Sequence, residues 1–381
     1  MRYFTLTACC LVHLVIGSVY ADSVLYQAIC DSTGWERSWL VGGFAATILA
    51  LGVAAASYRR QFQGCDQKSL LLITSVIYMI DMGLLYLTFM THKWLQPEIA
   101  LLAYLISSVI RGGCIGVMYA LTVTTVTELF THRRGLCSGL VVMSFGLGSL
   151  LATKLYVYAL ALQFPLQHLM LLQYGYWVVL IVAMLLYQEN KNITYMPIAE
   201  VVQEPMWRRL SVIFFLNICV GITLLSNLVA LTVERGIDYN TALWLVGAAG
   251  VANGLGRIFY STLSDIFGRM RVLSIALLFQ TVCLAILPWC WEVAILGIIS
   301  VYGGGFAMMP SICAAYLSNG TSGYSALLVW WGVAGLVGPL LYLAIPHVAV
   351  LLVASLLACI CAVDADKYFF THKNINSIDR K

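Results

Sequence analysis

Charged residues are scarce in this chain of 381 residues: Asp, Glu, Lys and Arg together make up 10% of it, whereas hydrophobic residues make up 61%. An ordinary soluble domain carries roughly 25% charged residues. The scarcity of charge, together with a mean hydropathy of +0.89, excludes a water-soluble fold. Apolar runs of about 20 residues, the length that crosses a bilayer, recur along the whole chain. The sequence therefore predicts an all-α membrane protein with many transmembrane helices.

The signatures of several other protein classes are also missing. No patch of Lys and Arg is interleaved with aromatic residues, which excludes nucleic acid as a partner. The 12 cysteines form no CxxC pair and no His/Cys cluster at metal-ligand spacing, so no metal or other cofactor is expected. No span contains HExxH, GxSxG or a close pair of carboxylates, which argues against an enzyme.

Twelve apolar runs, separated by polar breaks, are predicted to span the membrane. The first run has 19 residues, too long for the core of a cleaved signal peptide, so we predict that it is retained. The most polar interval lies between the sixth and seventh spans. It predicts an N-terminal six-helix half (1–187), a central loop (188–209) and a C-terminal six-helix half with a short tail (210–381). The predicted spans are 3–21, 39–58, 69–90, 98–122, 135–155, 167–187, 210–233, 241–263, 272–291, 293–317, 324–345 and 346–368.

The distribution of Lys and Arg over alternate loops predicts the orientation, because basic residues are retained on the cytoplasmic side. Fifteen fall on the side of the termini and the central loop, and three on the other side: Arg37, Lys93 and Arg235. Both termini and the central loop are therefore predicted to be cytoplasmic, in a plasma membrane or an organelle membrane alike.

A weak internal repeat supports two halves independently of hydropathy. Residues 39–42 (WLVG) recur as 244–247, and Gly112-Gly113 is echoed by Gly304-Gly305. Both matches fall at equivalent places in the two sets of six spans. Parallel repeats of this kind predict a substrate site near the bilayer midplane, between the halves.

Ionisable residues within spans need an explanation, because a charge at the bilayer centre costs at least about 2.5 kcal/mol. They are Asp81, Arg111, Lys154 and Arg257, with Asp22 near the outer end of the first span. They could line an anion-binding cavity. Alternatively, Asp81 pairs with Arg111, and Asp22 pairs with Lys154 or reaches water. For these four residues we favour pairing.

Arg257 has no obvious acid left to neutralise it, and Asn253 one turn earlier is a neutral partner. We therefore predict that Arg257 contacts an anionic substrate, since a guanidinium binds a carboxylate bidentately. Four aromatic residues are candidates to complete the cavity, by donating hydrogen bonds or by packing on an apolar tail. The alternative is that they pack between helices. They are Tyr20, Tyr119, Trp330 and Trp331.

Residues 261–271 (STLSDIFGRMR) close the eighth span at its cytoplasmic end. A carboxylate, a glycine turn and basic residues can hold two helices together in one conformation and release them in another. We predict a cytoplasmic gate formed by Asp265, Gly268 and Arg269. The alternative is an ordinary helix C-terminus, satisfied by a glycine and positive side chains.

Residues 261–271 resemble the loop signature of the major facilitator superfamily, G-x-x-x-D-R/K-x-G-R-R/K, with Ser261 for the glycine and Ile266 for the basic residue. Residues 253–265 (NGLGRIFYSTLSD) are similar to the eighth span of the oxalate/formate antiporters, which are close to the monocarboxylate transporters. Further matches cover 17–21 (GSVYA), 134–139 (RGLCSG), 143–148 (MSFGLG) and 332–339 (GVAGLVGP). The resemblance extends over essentially the whole chain.

Three positions depart from these families. Trp331 stands where the oxalate-type members have a lysine, which argues against a site for two carboxylates. Asn253 stands where the animal monocarboxylate carriers have an acid, which argues against proton coupling through that position. Arg60 occupies the slot of Asp265 in the repeat, which predicts a weaker amino-terminal gate.

The resemblance implies a major facilitator fold with twelve transmembrane helices in two pseudo-symmetric halves. It implies a secondary transporter that moves a small organic anion, most simply a monocarboxylate, by alternating access, with a coupled proton or an exchanged anion. We expect it to act as a monomer in the lipid bilayer. Two alternatives remain open: a carrier of another small metabolite, and a membrane sensor that keeps the fold without transport, for which the altered loop at Arg60 is the supporting feature.

Overall fold

The computed structural model describes residues 2–61, 65–91, 94, 96–165, 174–188, 198–344 and 348–378. Regular secondary structure in these residues is entirely helical, which confirms the all-α prediction. A 3-10 segment, Gly17–Leu25, joins the first two helices. The helices are α1 (Arg2–Ile16), α2 (Tyr26–Thr33), α3 (Arg37–Gln61), α4 (Gln67–Thr91), α5 (Pro97–Leu129), α6 (Arg134–Ala161), α7 (Gly175–Leu186), α8 (Ile198–Val201), α9 (Pro205–Val233), α10 (Tyr239–Phe267), α11 (Arg269–Ile286), α12 (Trp291–Tyr316), α13 (Gly320–Ala344) and α14 (Val348–Ile378).

Ten helical segments of the described chain are long and apolar enough to cross a membrane. The remaining two predicted spans, 167–187 and 324–345, coincide in part with α7 and α13. The boundary predicted at Pro346 and His347 lies outside the described residues. The count of twelve therefore stays a prediction.

Two helical stretches extend beyond the boundaries predicted from hydropathy. The first span continues as one helical stretch to Thr33, because the charge of Asp22, where the apolar run ends, is compensated by an ion pair. The predicted central loop ends early, since α9 begins at Pro205. Proline suits the first position of a helix, where the missing N–H has no intrahelical partner. Residues 189–197 of that loop lie outside the described part of the chain.

Aspartates cap two helices at their N-termini. Asp66 accepts a hydrogen bond from the backbone N–H of Ser69 (2.8 Å) at the beginning of α4, and Asp238 accepts one from Thr241 (3.0 Å) at the beginning of α10. Hydrogen bonds from the side chains of Ser69 and Thr241, together with these backbone bonds, stabilise the charged form and lower the pKa of both carboxyls. The two caps define where these helices begin.

The described chain divides into two compact units, Met1–Leu129 with Ser144–Ile193 and Phe130–Met143 with Thr194–Lys381. The unit boundary differs from the predicted halves in one respect, because the first third of α6 groups with the second unit. Each unit has its own apolar core: residues such as Leu25, Trp35 and Tyr156 in the first, and Leu224, Trp291 and Ile298 in the second.

Close helix crossings at glycine residues recur in both units. In the first unit, Gly112 of α5 lies against the backbone carbonyl of Thr47 in α3, with no room for a Cβ atom. In the second, Gly303 of α12 lies in the same way against Asn253 of α10, and Gly256 of α10 against Ser300. Small residues allow such close approach between membrane helices.

Candidate functional site

Arg257 is half-buried on α10, and three groups surround its guanidinium. Its Nε donates a hydrogen bond to Oδ1 of Asn253 one turn earlier (2.9 Å). Nη1 donates to the backbone carbonyl of Val142 in α6. The Phe306 ring of α12 lies under the guanidinium, 5.9 Å from Cζ to the ring centroid. Arg257 is thus held in place by neutral groups.

The guanidinium keeps unused hydrogen-bonding capacity. A guanidinium carries five N–H donors, and within the described residues Nη2 of Arg257 has no hydrogen-bond partner and no carboxylate forms an ion pair with it. A half-buried cation without a counter-ion is unfavourable. The arrangement can therefore accept an anion.

The two predicted tryptophans lie on α13 within the same unit. Trp331 is 3% exposed, and its ring centroid is 5.0 Å from that of Phe306. Phe306 therefore contacts both Arg257 and Trp331. Trp330 is half-buried, packs edge-on against Phe215 at 5.9 Å, and its indole N–H has no partner among the described residues.

Asp265, near the end of α10, is hydrogen-bonded to the first turn of α6. Its two carboxylate oxygens accept hydrogen bonds from the backbone N–H groups of Gly135 (3.1 Å) and Leu136 (3.0 Å). The positive end of the helix dipole adds to these bonds. A Cβ atom at Gly135 would collide with the carbonyl of Ser261, so the glycine is what allows the carboxylate to come this close.

The other two predicted gate residues flank this contact. Gly268 separates α10 from α11 with φ +95°, a left-handed conformation that strains other residues. Arg269 begins α11 and pairs with Asp265 at 3.4 Å. Asp265, Gly268 and Arg269 therefore form one local cluster with the beginning of α6.

Tyr20 and Tyr119 lie together in the first unit. Both rings pack edge-on against Phe145, at 5.5 Å and 5.6 Å. Sequence reasoning missed the next member of this group, His13, which is fully buried on α1, 4.6 Å from the ring of Tyr119. Its Nε2 makes a hydrogen bond of 2.8 Å to Thr122. An imidazole inside an apolar run was the signal that could have identified it.

The predicted ion pairs are wrong. Arg111 of α5 pairs through Nη1 with Asp22 of the 3-10 segment at 2.6 Å, not with Asp81. Lys154, the predicted partner of Asp22, is exposed on α6. The 3-10 segment brings Asp22 over α5, and this could not be read from linear spacing.

Asp81 on α4 is consequently left without a counter-ion. Its side chain is 1% exposed, and neither carboxylate oxygen has a hydrogen-bond partner among the described residues. Ser107 and Arg111 of α5 are the polar groups that act on it. Within the described chain, no group of three His, Cys, Asp or Glu residues is arranged to hold a metal ion.

No protein-family model matches the chain. It is 23% identical over 365 residues to an uncharacterized MFS-type transporter of Escherichia coli K12, YhjX, a match that covers 88% of this chain and 86% of that protein. It is also 23% identical over 222 residues to the oxalate:formate antiporter of Oxalobacter formigenes, covering 53% of this chain and 52% of the antiporter.

The fold matches a solved structure over almost its whole length. A Major Facilitator Superfamily transporter, FucP, in the outward conformation superimposes with a TM-score of 0.73 at 12% identity, covering 95% of this chain and 98% of FucP. The chain is thus similar to major facilitator transporters in sequence and has their fold. The resemblance predicted from the motifs and the all-helical fold are thereby confirmed.

The apolar helices and the named relatives support a multi-pass integral membrane protein that transports a small-molecule substrate. The named relatives are transporters, in agreement with the expectation that this protein is not an enzyme. The superfamily carries many kinds of cargo, so the fold leaves the substrate open.

Proposed function

We propose that this protein carries small organic anions, with monocarboxylates as its main substrates, by alternating access. The observation that carries the proposal is the half-buried guanidinium of Arg257, held by Asn253 and Val142 and without a counter-ion in the described chain. A substrate carboxylate would supply that counter-ion. Similarity to an oxalate:formate antiporter over half of its length agrees with an anionic cargo.

Asn253 has the role of orienting the arginine. Because its Oδ1 holds Nε, and the Val142 carbonyl holds one N–H of Nη1, the remaining donors on Nη1 and Nη2 form the edge available to a carboxylate. Two adjacent N–H groups match the two oxygens of a carboxylate. Fixing the guanidinium beforehand also reduces the ordering cost of binding.

The apolar part of the substrate would pack on aromatic rings of the same unit. Phe306 lies under Arg257 and contacts Trp331. Trp330, the residue before Trp331 on α13, has an indole N–H that can donate a hydrogen bond. Aromatic rings can exclude water from a small acid's carbon chain. Contact of the substrate with Tyr20 and Tyr119, in the first unit, stays a prediction.

The cytoplasmic gate of the proposal is the cluster of Asp265, Gly268 and Arg269. Asp265 bonds to the beginning of α6 in the conformation described, and its release would free α6 from α10. The two six-helix halves, the cytoplasmic termini and the monomeric state belong to the same proposal.

Counterflow tests the proposal directly. Purified full-length protein in liposomes preloaded with unlabelled pyruvate should accumulate external labelled pyruvate, and Arg257→Ala should abolish this exchange. Arg257→Lys should restore it only in part, because an ammonium cannot form the bidentate pair. Arg208→Ala is the control, since Arg208 is an exposed arginine of α9 and should leave exchange unchanged.

Three results would reject or change this assignment. Normal exchange by Arg257→Ala would remove Arg257 from the site and with it the anion-carrier proposal. Binding of pyruvate without exchange would indicate a sensor that has the carrier fold. Exchange of a neutral metabolite in preference to carboxylates would indicate a different cargo.

A further inference from the structure

The first unit holds one buried arginine, Arg111, near two acids, the half-buried Asp22 and the buried Asp81. Arg111, 4% exposed, pairs through Nη1 with Asp22, while the carboxylate of Asp81 is 1% exposed. Both oxygens of Asp81 and Nε of Arg111 lack a hydrogen-bond partner in the described chain. The charges of this group therefore do not balance if both acids are ionised.

A proton resolves the imbalance. An ionised carboxylate buried within a membrane span without a partner costs several kcal/mol, whereas a neutral carboxylic acid costs far less. When Arg111 is paired with Asp22, the favourable state of Asp81 is the protonated one. In that state the three residues carry no net charge.

The surroundings of Asp81 contain no second cation within the described residues. Arg111, Ser107 and Cys114 of α5 act on Asp81 itself. Around Arg111 and Asp22 the further titratable groups are neutral phenols from α4, α5 and α7: Tyr78, Tyr104 and Tyr176. The proton on Asp81 therefore depends on the position of Arg111.

A small cavity in this unit lies beside the ion pair. Asp22 and Arg111 both line it, and so does Leu85, which lies one turn after Asp81 on α4. Tyr26 and Tyr104 are further lining residues that carry a hydroxyl. The ion pair therefore borders a partly polar space inside the first unit.

We infer that Asp81 binds and releases a proton that accompanies the transported anion, while Arg111 moves its pairing between Asp22 and Asp81. A proton from water adds to a carboxylate oxygen of Asp81 and leaves Arg111 with Asp22, as observed. When the proton returns to water, the new carboxylate competes for the free Nε of Arg111. This inference rests on the proposed anion transport for its role in coupling.

Movement can follow from this exchange because Asp22 lies in a 3-10 segment. The segment Gly17–Leu25 has the weaker hydrogen-bond geometry of a 3-10 helix, which is a common site of hinges within helices. Loss of the ion pair between Arg111 and Asp22 would release this segment from α5. One proton on α4 would thereby control the conformation of the first span.

Infrared spectroscopy tests proton binding without any substrate. A protonated, buried carboxylic acid has a carbonyl-stretch band that a carboxylate lacks. Full-length wild type should show a pH-dependent band that Asp81→Asn loses and Glu98→Gln, an exposed acid at the beginning of α5, retains. Asp22→Asn should also lose it, because Arg111 would then pair with an ionised Asp81.

Transport in proteoliposomes tests coupling. In wild type, an inward proton gradient should drive accumulation of labelled pyruvate, with a matching change in an internal pH dye. Asp81→Asn should lose gradient-driven accumulation but keep pyruvate counterflow, which needs no net proton movement. Glu98→Gln should retain both.

The failures of the two proposals are distinguishable. An infrared band that persists in Asp81→Asn, or gradient-driven uptake that survives this change, would overturn the proton site while leaving anion exchange intact. Absence of pyruvate counterflow in wild type would instead reject the proposed cargo, and the infrared result would still decide whether Asp81 carries a proton.

Discussion

The carboxylate of Asp265 accepts a hydrogen bond from the backbone N–H of Gly135, 130 positions earlier in the chain, at a distance of 3.1 Å. A second bond from Leu136 makes the contact bidentate. An acid at the end of one helix thus binds the positive N-terminus of another. Because the contact joins two helix ends, it can break without disturbing the helices themselves.

Asp265→Asn is expected to slow pyruvate transport much more than it weakens pyruvate binding. The amide loses the negative charge and one of the two acceptors, so α6 is held less firmly, while Arg257 is unaffected. Initial rates and binding by isothermal titration measure the two effects. The control is Asp238→Asn at the other end of α10, because asparagine caps a helix as well as aspartate does. Equal loss of affinity and rate would place Asp265 in the binding site instead.

Gly256→Ala is expected to destabilise the protein, since its Cβ would meet the carbonyl of Ser300 where α10 and α12 cross. Overpacking of this kind costs about 1–3 kcal/mol. Gly250→Ala, on the same helix with open space around it, should cause no loss. Thermal unfolding of the purified protein compares them. Equal melting temperatures for the two variants would show that α10 and α12 pack less closely at Gly256 than described.

Monocarboxylates are expected to be preferred over dianions such as oxalate. One guanidinium neutralises one carboxylate, and a second charge would remain uncompensated in a low-dielectric site. Trp331→Lys should shift the preference towards dicarboxylates, whereas Trp331→Met should not, because it removes the indole without adding a charge. Competition of each acid with labelled pyruvate measures the preference. If wild type used oxalate equally well, a second cation would have to reach the site. Arg111 and then Lys154 would be the first residues to replace in order to identify it.

Both termini are expected to be cytoplasmic. Fifteen basic residues against three on alternate loops predict this orientation. Epitope tags at either terminus should be inaccessible to antibody in intact cells, and a tag inserted after Arg235 should be accessible. An accessible terminus would contradict the twelve-span topology, and opposite sides for the two ends would imply an odd number of spans.

The sequence by itself determined the features that depend on residues close together in the chain. Hydropathy identified the helices, since apolar runs of membrane length have few alternatives. Asn253 could be assigned as the partner of Arg257 because residues four apart lie on the same face of a helix. The cluster of Asp265, Gly268 and Arg269 was recognisable for the same reason, as its members are adjacent in the chain.

Only the tertiary structure decided which distant groups meet. Two acids and two cations could pair in several ways within the first unit, and the choice of Asp22 for Arg111 depends on a 3-10 segment that hydropathy does not reveal. Phe306 and the carbonyl of Val142 reach Arg257 from other helices. The physical reason is that helix formation is a local property, whereas packing depends on how shapes and charges far apart in the chain fit together.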